Sequence, residues 1–254
     1  MKKPLSAMEC ALAGVFDYAG MFPPAELDLR AVVRHYLEYR RGGYGWALGR
    51  LVIDAKVLSA LRAEAQGDAS RLSLSVVAKD ANPEAIQQHL DDGLPIAMLE
   101  VKATDRDEIL RLKESLPAGI AACVEVSIET TDANVLDAIG IAGVNAKLRM
   151  GGVVAEAFPT AASVAAMLKV LAKRRIAFKA TAGLHHPLRA RHPFTYQQDS
   201  PAGLMHGFMN LLCASALVWF GGEVNEATQL LEEQGSASLA SGSRCHLLAL
   251  IWLE

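Results

Sequence analysis

Two lysines stand in the middle of apolar segments. Lys147 lies in Asn145-Ala-Lys-Leu-Arg-Met-Gly-Gly152, and Lys179 lies in Ile176-Ala-Phe-Lys-Ala-Thr-Ala-Gly-Leu-His-His-Pro187. An ammonium buried in such a setting must find a partner, give up its proton or do chemistry. A lysine amine freed of its proton beside a second cation can attack a carbonyl carbon and form a Schiff base. A carboxylate, or a water it holds, then moves protons on and off carbon. Glu100 and Glu125, each in an apolar segment of its own, are the candidates for that work. The second lysine segment runs into His185-His186, and one of these imidazoles could serve as a general base or a ligand.

These residues need elements to hold them. Strands are predicted at 15–19, 46–53, 72–78, 96–103, 121–128, 144–150 and 176–181. Helices are predicted at 26–41, 57–66, 83–91, 105–115, 133–139 and 160–173. Alternating β and α units imply a parallel sheet. Seven in succession within 254 residues point to one α/β domain over 1–254, a (β/α)8 TIM-barrel-like fold. No Gly-x-Gly-x-x-Gly follows the first strand and no P-loop occurs, which argues against a nucleotide-binding doubly wound sheet. The tail is less regular. Residues 188–202 read as a long loop, with helices near 203–219 and 223–234 and an apolar segment at 245–253. The eighth β/α unit is therefore expected to be irregular, or closed by the C-terminal segment.

Side-chain alternation sorts the strands into two faces. Val124, Val126 and Ile128 oppose Glu125 and Ser127. Leu99 and Val101 oppose Met98, Glu100 and Lys102. Val144, Ala146 and Leu148 oppose Asn145, Lys147 and Arg149. Ile176, Phe178 and Ala180 oppose Lys179 and Thr181. Asp17 sits between Phe16 and Tyr18, and the second strand ends with Arg50 and Asp54. In a barrel one face lines the lumen, and charged residues near the C-terminal strand ends line the active site. The expected catalytic residues are Lys147, Lys179, Glu125, Glu100 and His185. The expected substrate-binding residues are Asp17, Arg50, Arg149, Gly151, Gly152, His186, Arg189 and His206. The Gly151-Gly152 turn could bring backbone N–H groups to an anion.

Lys147-Leu-Arg-Met-Gly-Gly152, Thr160-Ala-Ala-Ser-Val-Ala-Ala-Met-Leu-Lys169 and Phe178-Lys-Ala-Thr-Ala-Gly-Leu184 follow one another in order. The span 147–184 resembles class I aldolases of the deoxyribose-phosphate aldolase type. There a strand ending in a lysine motif precedes a helix and a second Lys-Ala-Ser/Ala-Gly strand. The resemblance implies a barrel with aldolase-like lyase chemistry, Lys147 as the Schiff-base lysine and Lys179 as the neighbouring cation that favours the free amine. Arg149 and Met150 replace the family's small hydroxyl residues, His185-His186 is an addition, and the downstream phosphate loop is missing. An anion such as a carboxylate, held by Arg149 or Arg189, fits these departures better than a sugar phosphate.

Two other readings stand beside this one. A divalent metal ion could sit among Glu100, Glu125, His185 and His206, making the chain a metal-dependent hydrolase or lyase. No HExxH or first-strand HxH accompanies that set, and the Schiff-base reading needs no cofactor. A catalytically silent barrel that binds a ligand or scaffolds a partner is the third. The small net charge of −3, without a basic stripe, argues against nucleic acid as a partner. Four scattered cysteines without a CxxC fit reduced thiols and a cytoplasmic setting. No apolar h-region follows Met1-Lys2-Lys3-Pro4, and the apolar run 208–220 is too short to span a bilayer, so neither a signal peptide nor a membrane partner is expected. That run would suit a homo-oligomer interface.

Overall fold

The computed structural model describes residues 6–235, apart from positions 66, 79–82, 104 and 131. The C-terminal apolar segment 245–253 lies outside the described residues. After a short helix α1 (Ala7–Leu12), capped by Ser6, the chain alternates strands and helices. They are β1 (Phe16–Tyr18), α2 (Leu29–Arg41), β2 (Leu48–Asp54), α3 (Leu58–Glu64), β3 (Leu74–Val77), α4 (Pro83–Asp91) and β4 (Ile96–Val101), then α5 (Arg106–Ser115), β5 (Ala121–Val126), α6 (Ala133–Ala142), β6 (Asn145–Arg149), α7 (Ala161–Arg174) and β7 (Phe178–Thr181).

Local chemistry sets the boundaries. Asp28, Asp105, Asp132 and Thr160 each accept a hydrogen bond from a backbone N–H in the first turn of α2, α5, α6 and α7. Such a cap satisfies donors that the helix itself leaves orphaned. α2 shows how the pattern becomes packing. Val32, Val33, Tyr36 and Leu37 are buried on one stripe, and they join Leu51, Ile53, Leu74 and Val76 from β2 and β3 in one apolar cluster. A second cluster puts Val124, Val126, Ala146 and Leu148 against Leu136, Ile139, Val164 and Leu168. The apolar strand faces therefore meet the helices, and the alternate positions are left for the concave side of the sheet.

The seven parallel strands lie in sequence order, β1 to β7. In register, Glu125 stands beside Lys147, and Lys147 beside Lys179. The sheet curls far enough for Lys179 on β7 to reach Asp17 on β1, yet among the described residues no ladder joins these two edges. This is an α/β half-barrel of TIM-barrel type rather than a closed (β/α)8 ring.

The eighth unit departs from the expected plan. Residues 188–202 are not a plain loop: β8 (Ala190–Pro193) and β9 (Ala202–Met205) form an antiparallel hairpin that pairs only with itself. The helices α8 (Phe208–Trp219) and α9 (Val224–Glu232) follow. Gly207 makes an isolated parallel bridge to His186, just past β7. The Phe208 N–H donates to the His186 carbonyl, and the Phe208 ring packs edge-on against Phe16 of β1 at 4.8 Å. One residue thus touches both edges of the open sheet. A side chain and the start of a helix thus lie at the opening of the sheet, where the last unit was expected to be irregular or closed by the C-terminal segment.

Candidate functional site

Five charged side chains from five strands meet on the concave face. Lys179 Nζ donates to Asp17 Oδ2 at 2.6 Å, to Glu100 Oε1 at 2.7 Å and to Ser75 Oγ at 3.3 Å. Lys147 Nζ lies 3.1 Å from Glu100 Oε2 and 3.0 Å from Glu125 Oε2. Glu100 is the hinge of the cluster: one oxygen serves Lys179, the other serves Lys147, and Ser75 Oγ donates to it at 2.6 Å. It is also the most buried member, its side chain 2% exposed against 28% for Glu125. Glu125 is thus the carboxylate nearest to solvent and Glu100 the one held in the interior.

Burial alone would disfavour an ionised Glu100. The Lys179 ammonium and its hydrogen bond, the Ser75 hydroxyl and Lys147 outweigh it and hold the Glu100 carboxyl below its ordinary value. Burial likewise opposes charge on Lys179, but Glu100 and Asp17 outweigh it and push the Lys179 ammonium above its ordinary value. Lys179 is therefore a fixed cation. Beneath the cluster the Cys123 thiol is pushed up to about 11, first by burial, so it is an inert neutral group 3.3 Å from Met98 Sδ.

The strand edges help to place Asp17. Its Oδ1 accepts from the Arg50 backbone N–H at 2.6 Å. A side chain at Gly49 would collide with that same oxygen and with the Gly14 carbonyl, so only glycine lets β1 and β2 approach closely enough. Arg50 follows on the concave face, since its neighbours Leu51 and Ile53 are buried on the helix side. Its Nε is buried and has no hydrogen-bond partner among the described residues.

The rim residues sort differently. Arg149 is exposed, and its Nε donates to the Gly151 carbonyl at 3.1 Å. Gly151 was a candidate anion cradle, but it is buried beneath the Phe158 ring and against Gly183, so close packing accounts for it. Gly152 is half-buried beside Ala157 and Arg149. His185 stands exposed on the turn after β7. His186 stacks on His192 of the hairpin, ring centroids 3.4 Å apart; burial, His192 and His185 lower its pKa. Lys102 is exposed beyond β4 and outside the cluster.

His206 is buried and fully engaged. Its Nε2 donates to the Pro159 carbonyl at 2.8 Å, and its Nδ1 faces Arg189 Nη1 at 3.3 Å. A carbonyl only accepts and a guanidinium only donates, which fixes a neutral tautomer. Burial, chiefly, and Arg189 lower the His206 pKa. Both ring nitrogens are occupied, as are both Glu100 oxygens. Among the described residues no three His, Cys, Asp or Glu side chains converge as metal ligands, so Glu100, Glu125, His185 and His206 are not gathered into one donor set.

Two polar residues were missed. Ser75 is fully buried between Lys179 and Glu100, and its position opposite Leu74 and Val76 in an apolar strand was the available signal. Asn210 is fully buried in α8. It accepts from the Arg189 N–H at 3.0 Å and donates to the Leu230 and Glu233 carbonyls at 2.7 and 2.8 Å. A lone amide in so apolar a helix has to find such partners.

The cluster can hold one amine as a cation, present a second amine beside a relatively accessible carboxylate, and keep a buried carboxylate between them. The chain matches no protein-family model, and no curated protein matches its sequence.

Proposed function

We propose that this protein is a lyase of the class I aldolase type, acting on a small carbonyl compound through a Schiff base on Lys147. The observation that carries the reading is the sharing of one buried carboxylate by two lysines whose second partners differ. Lys179 is clamped by Asp17 and Glu100 and stays charged. The second partner of Lys147 is Glu125, the most accessible carboxylate of the cluster. Of the two amines, Lys147 is the one that can hand its proton to a group in touch with solvent.

In the proposed reaction Glu125 takes a proton from the Lys147 ammonium. The amine lone pair then attacks the substrate carbonyl carbon, and the C=O π pair moves to oxygen, which is protonated. Loss of that oxygen as water leaves an iminium. A carboxylate next removes the proton of a β-hydroxyl, the Cα–Cβ bond breaks, and its electron pair flows into the iminium. An aldehyde leaves and an enamine remains. Protonation at carbon and hydrolysis return free Lys147 and the second carbonyl product. Lys179 contributes a second, clamped cation on the neighbouring strand and holds Glu100 in place between the two amines.

The test is reductive trapping. Incubation with small aldehydes and ketones in the presence of borohydride, followed by peptide mapping, should place a stable secondary amine on Lys147. Lys147→Met should abolish the adduct while the protein remains folded. Absence of an adduct with every carbonyl compound tried, or its location on an exposed lysine such as Lys102, would refute the proposal.

A further inference from the structure

The geometry points to Arg50 as the recognition site for a substrate carboxylate, which makes the substrate a short oxo carboxylic acid; this rests on the Schiff-base reading of Lys147 for the carbonyl end alone. Every carboxylate in the cluster is already committed. Asp17 holds Lys179 and the Arg50 backbone, Glu100 holds both lysines and Ser75, and Glu125 holds Lys147. The Arg50 side chain shares their face of the sheet, and among the described residues it makes no ion pair and no hydrogen bond. Its Nε–H is buried without an acceptor.

A buried donor left unpaired is costly, and a ligand oxygen is one partner that would satisfy it. The position fits that role. Arg50 follows Gly49, its N–H is bonded to the carboxylate that clamps Lys179, and Val52, two residues on, is the register partner of Ser75. Arg50 thus stands on β2, its backbone bonded to the aspartate that clamps Lys179, four strands from Lys147 in the sheet order. Its fork-shaped donors match the two oxygens of a carboxylate. An anion there would orient a carbonyl toward the facing amine, and a neutral aldehyde would forgo that contact. Arg149, the other arginine on this face, has its Nε turned onto the Gly151 carbonyl at the exposed rim.

The test compares wild type, Arg50→Met and Arg50→Lys by the concentration of pyruvate, and separately of propanal, that half-saturates borohydride trapping. Intrinsic electrophilicity cancels when the proteins are compared on one compound. Loss of a charge-assisted contact predicts a rise of about 10- to 100-fold for pyruvate in Arg50→Met, with a change under roughly threefold for propanal. Equal changes for both compounds, or none for pyruvate, overturn the assignment. Arg50→Lys keeps the charge but not the fork, so its pyruvate value should also rise. If Arg50→Met does not fold, an unchanged pyruvate value in Arg50→Lys overturns the assignment. If no carbonyl compound is trapped by any of the three, the Schiff-base reading fails by itself. Arg50 is then judged by propanoate binding, followed by saturation-transfer NMR: binding lost in Arg50→Met upholds the carboxylate site, and binding retained overturns it.

Discussion

Glu100→Gln is the most direct probe of the charged cluster, because it removes one charge and almost no volume. Gln can still accept from Lys179 and Ser75 through its amide oxygen. Its NH2 group then faces the Lys147 ammonium across a contact that measures 3.1 Å in the native protein, donor against donor. Removing one member of a buried ion pair costs about 3–5 kcal/mol when the remaining charge is left bare. Here neither lysine is left bare. Lys179 keeps Asp17 at 2.6 Å and Lys147 keeps Glu125 at 3.0 Å. Both lysine side chains are also slightly open, at 14% and 12% exposure. The expected loss therefore falls at or just below the lower end, about 2–3 kcal/mol by urea denaturation. For a chain of this size that is about 4–12 °C in Tm.

The pH dependence carries the sharper signature. The folded-state Glu100 carboxyl lies below its ordinary value. Its contribution is therefore complete above the ordinary carboxylate range, from about pH 5 upward, and is lost as pH falls through the lowered value. The Lys179 ammonium lies above its ordinary value. Its contribution is complete below about pH 10 and is lost only as pH rises through the raised value. The difference in stability between wild type and Glu100→Gln should be flat from about pH 5 to about pH 9 and should shrink steadily toward about pH 3. A difference under about 0.5 kcal/mol at neutral pH would mean that the cluster behaves as an exposed, screened set of charges. A difference that grows on acidification would mean that Glu100 is not the ionised hub described above. Either result refutes the reasoning.

Two further perturbations test how the rim and the eighth unit are held. Asn210→Ala leaves the Arg189 N–H and the Leu230 and Glu233 carbonyls without their shared partner; the expected cost is about 2–5 kcal/mol by chemical denaturation, and a loss below about 1 kcal/mol would show that water replaces the amide. Gly183 has φ +70°, and a Cβ there would lie 2.8 Å from both Gly151 Cα and the Phe158 ring, whereas Gly14 has φ +66° with open space around it. Gly14→Ala should cost about 1–2 kcal/mol, the left-handed backbone alone, and Gly183→Ala clearly more by thermal denaturation; equal losses would show that the packing of the two rim turns is soft.

The fold was legible up to the point where periodicity ended. Period-two alternation placed Glu100, Glu125, Lys147 and Lys179 on one face because one face of each strand is committed to helices, as Val124 and Leu148 are. The helix predicted at 160–173 begins one residue later at Ala161, whereas the one predicted at 26–41 begins only at Leu29, after the Asp28 cap. The hairpin was not legible. His192 and Arg191 alternate on short strands whose single fully buried position is Met205, so no apolar rhythm marks them as sheet, and what holds their register is each other's backbone. The closure of the sheet was equally hidden, since it depends on Phe208 meeting Phe16 across nearly the whole chain.

The site divides along the same line. Residue types and faces could be read from local pattern, but partnership could not, because Asp17 and Lys179 are 162 positions apart. Composition gave both signs in the lumen and left open which lysine was clamped. The answer lies in the bulged β1–β2 pairing, which puts Asp17 within reach of β7. Beside that irregularity the Arg50 backbone bonds to Asp17, while its Nε has no partner among the described residues. The edge strand β1, the shortest of the parallel sheet, therefore fixes the state of one lysine and stands beside the Arg50 backbone. One aspartate thus clamps Lys179 as a cation and, on its other oxygen, holds the backbone from which the Arg50 side chain starts.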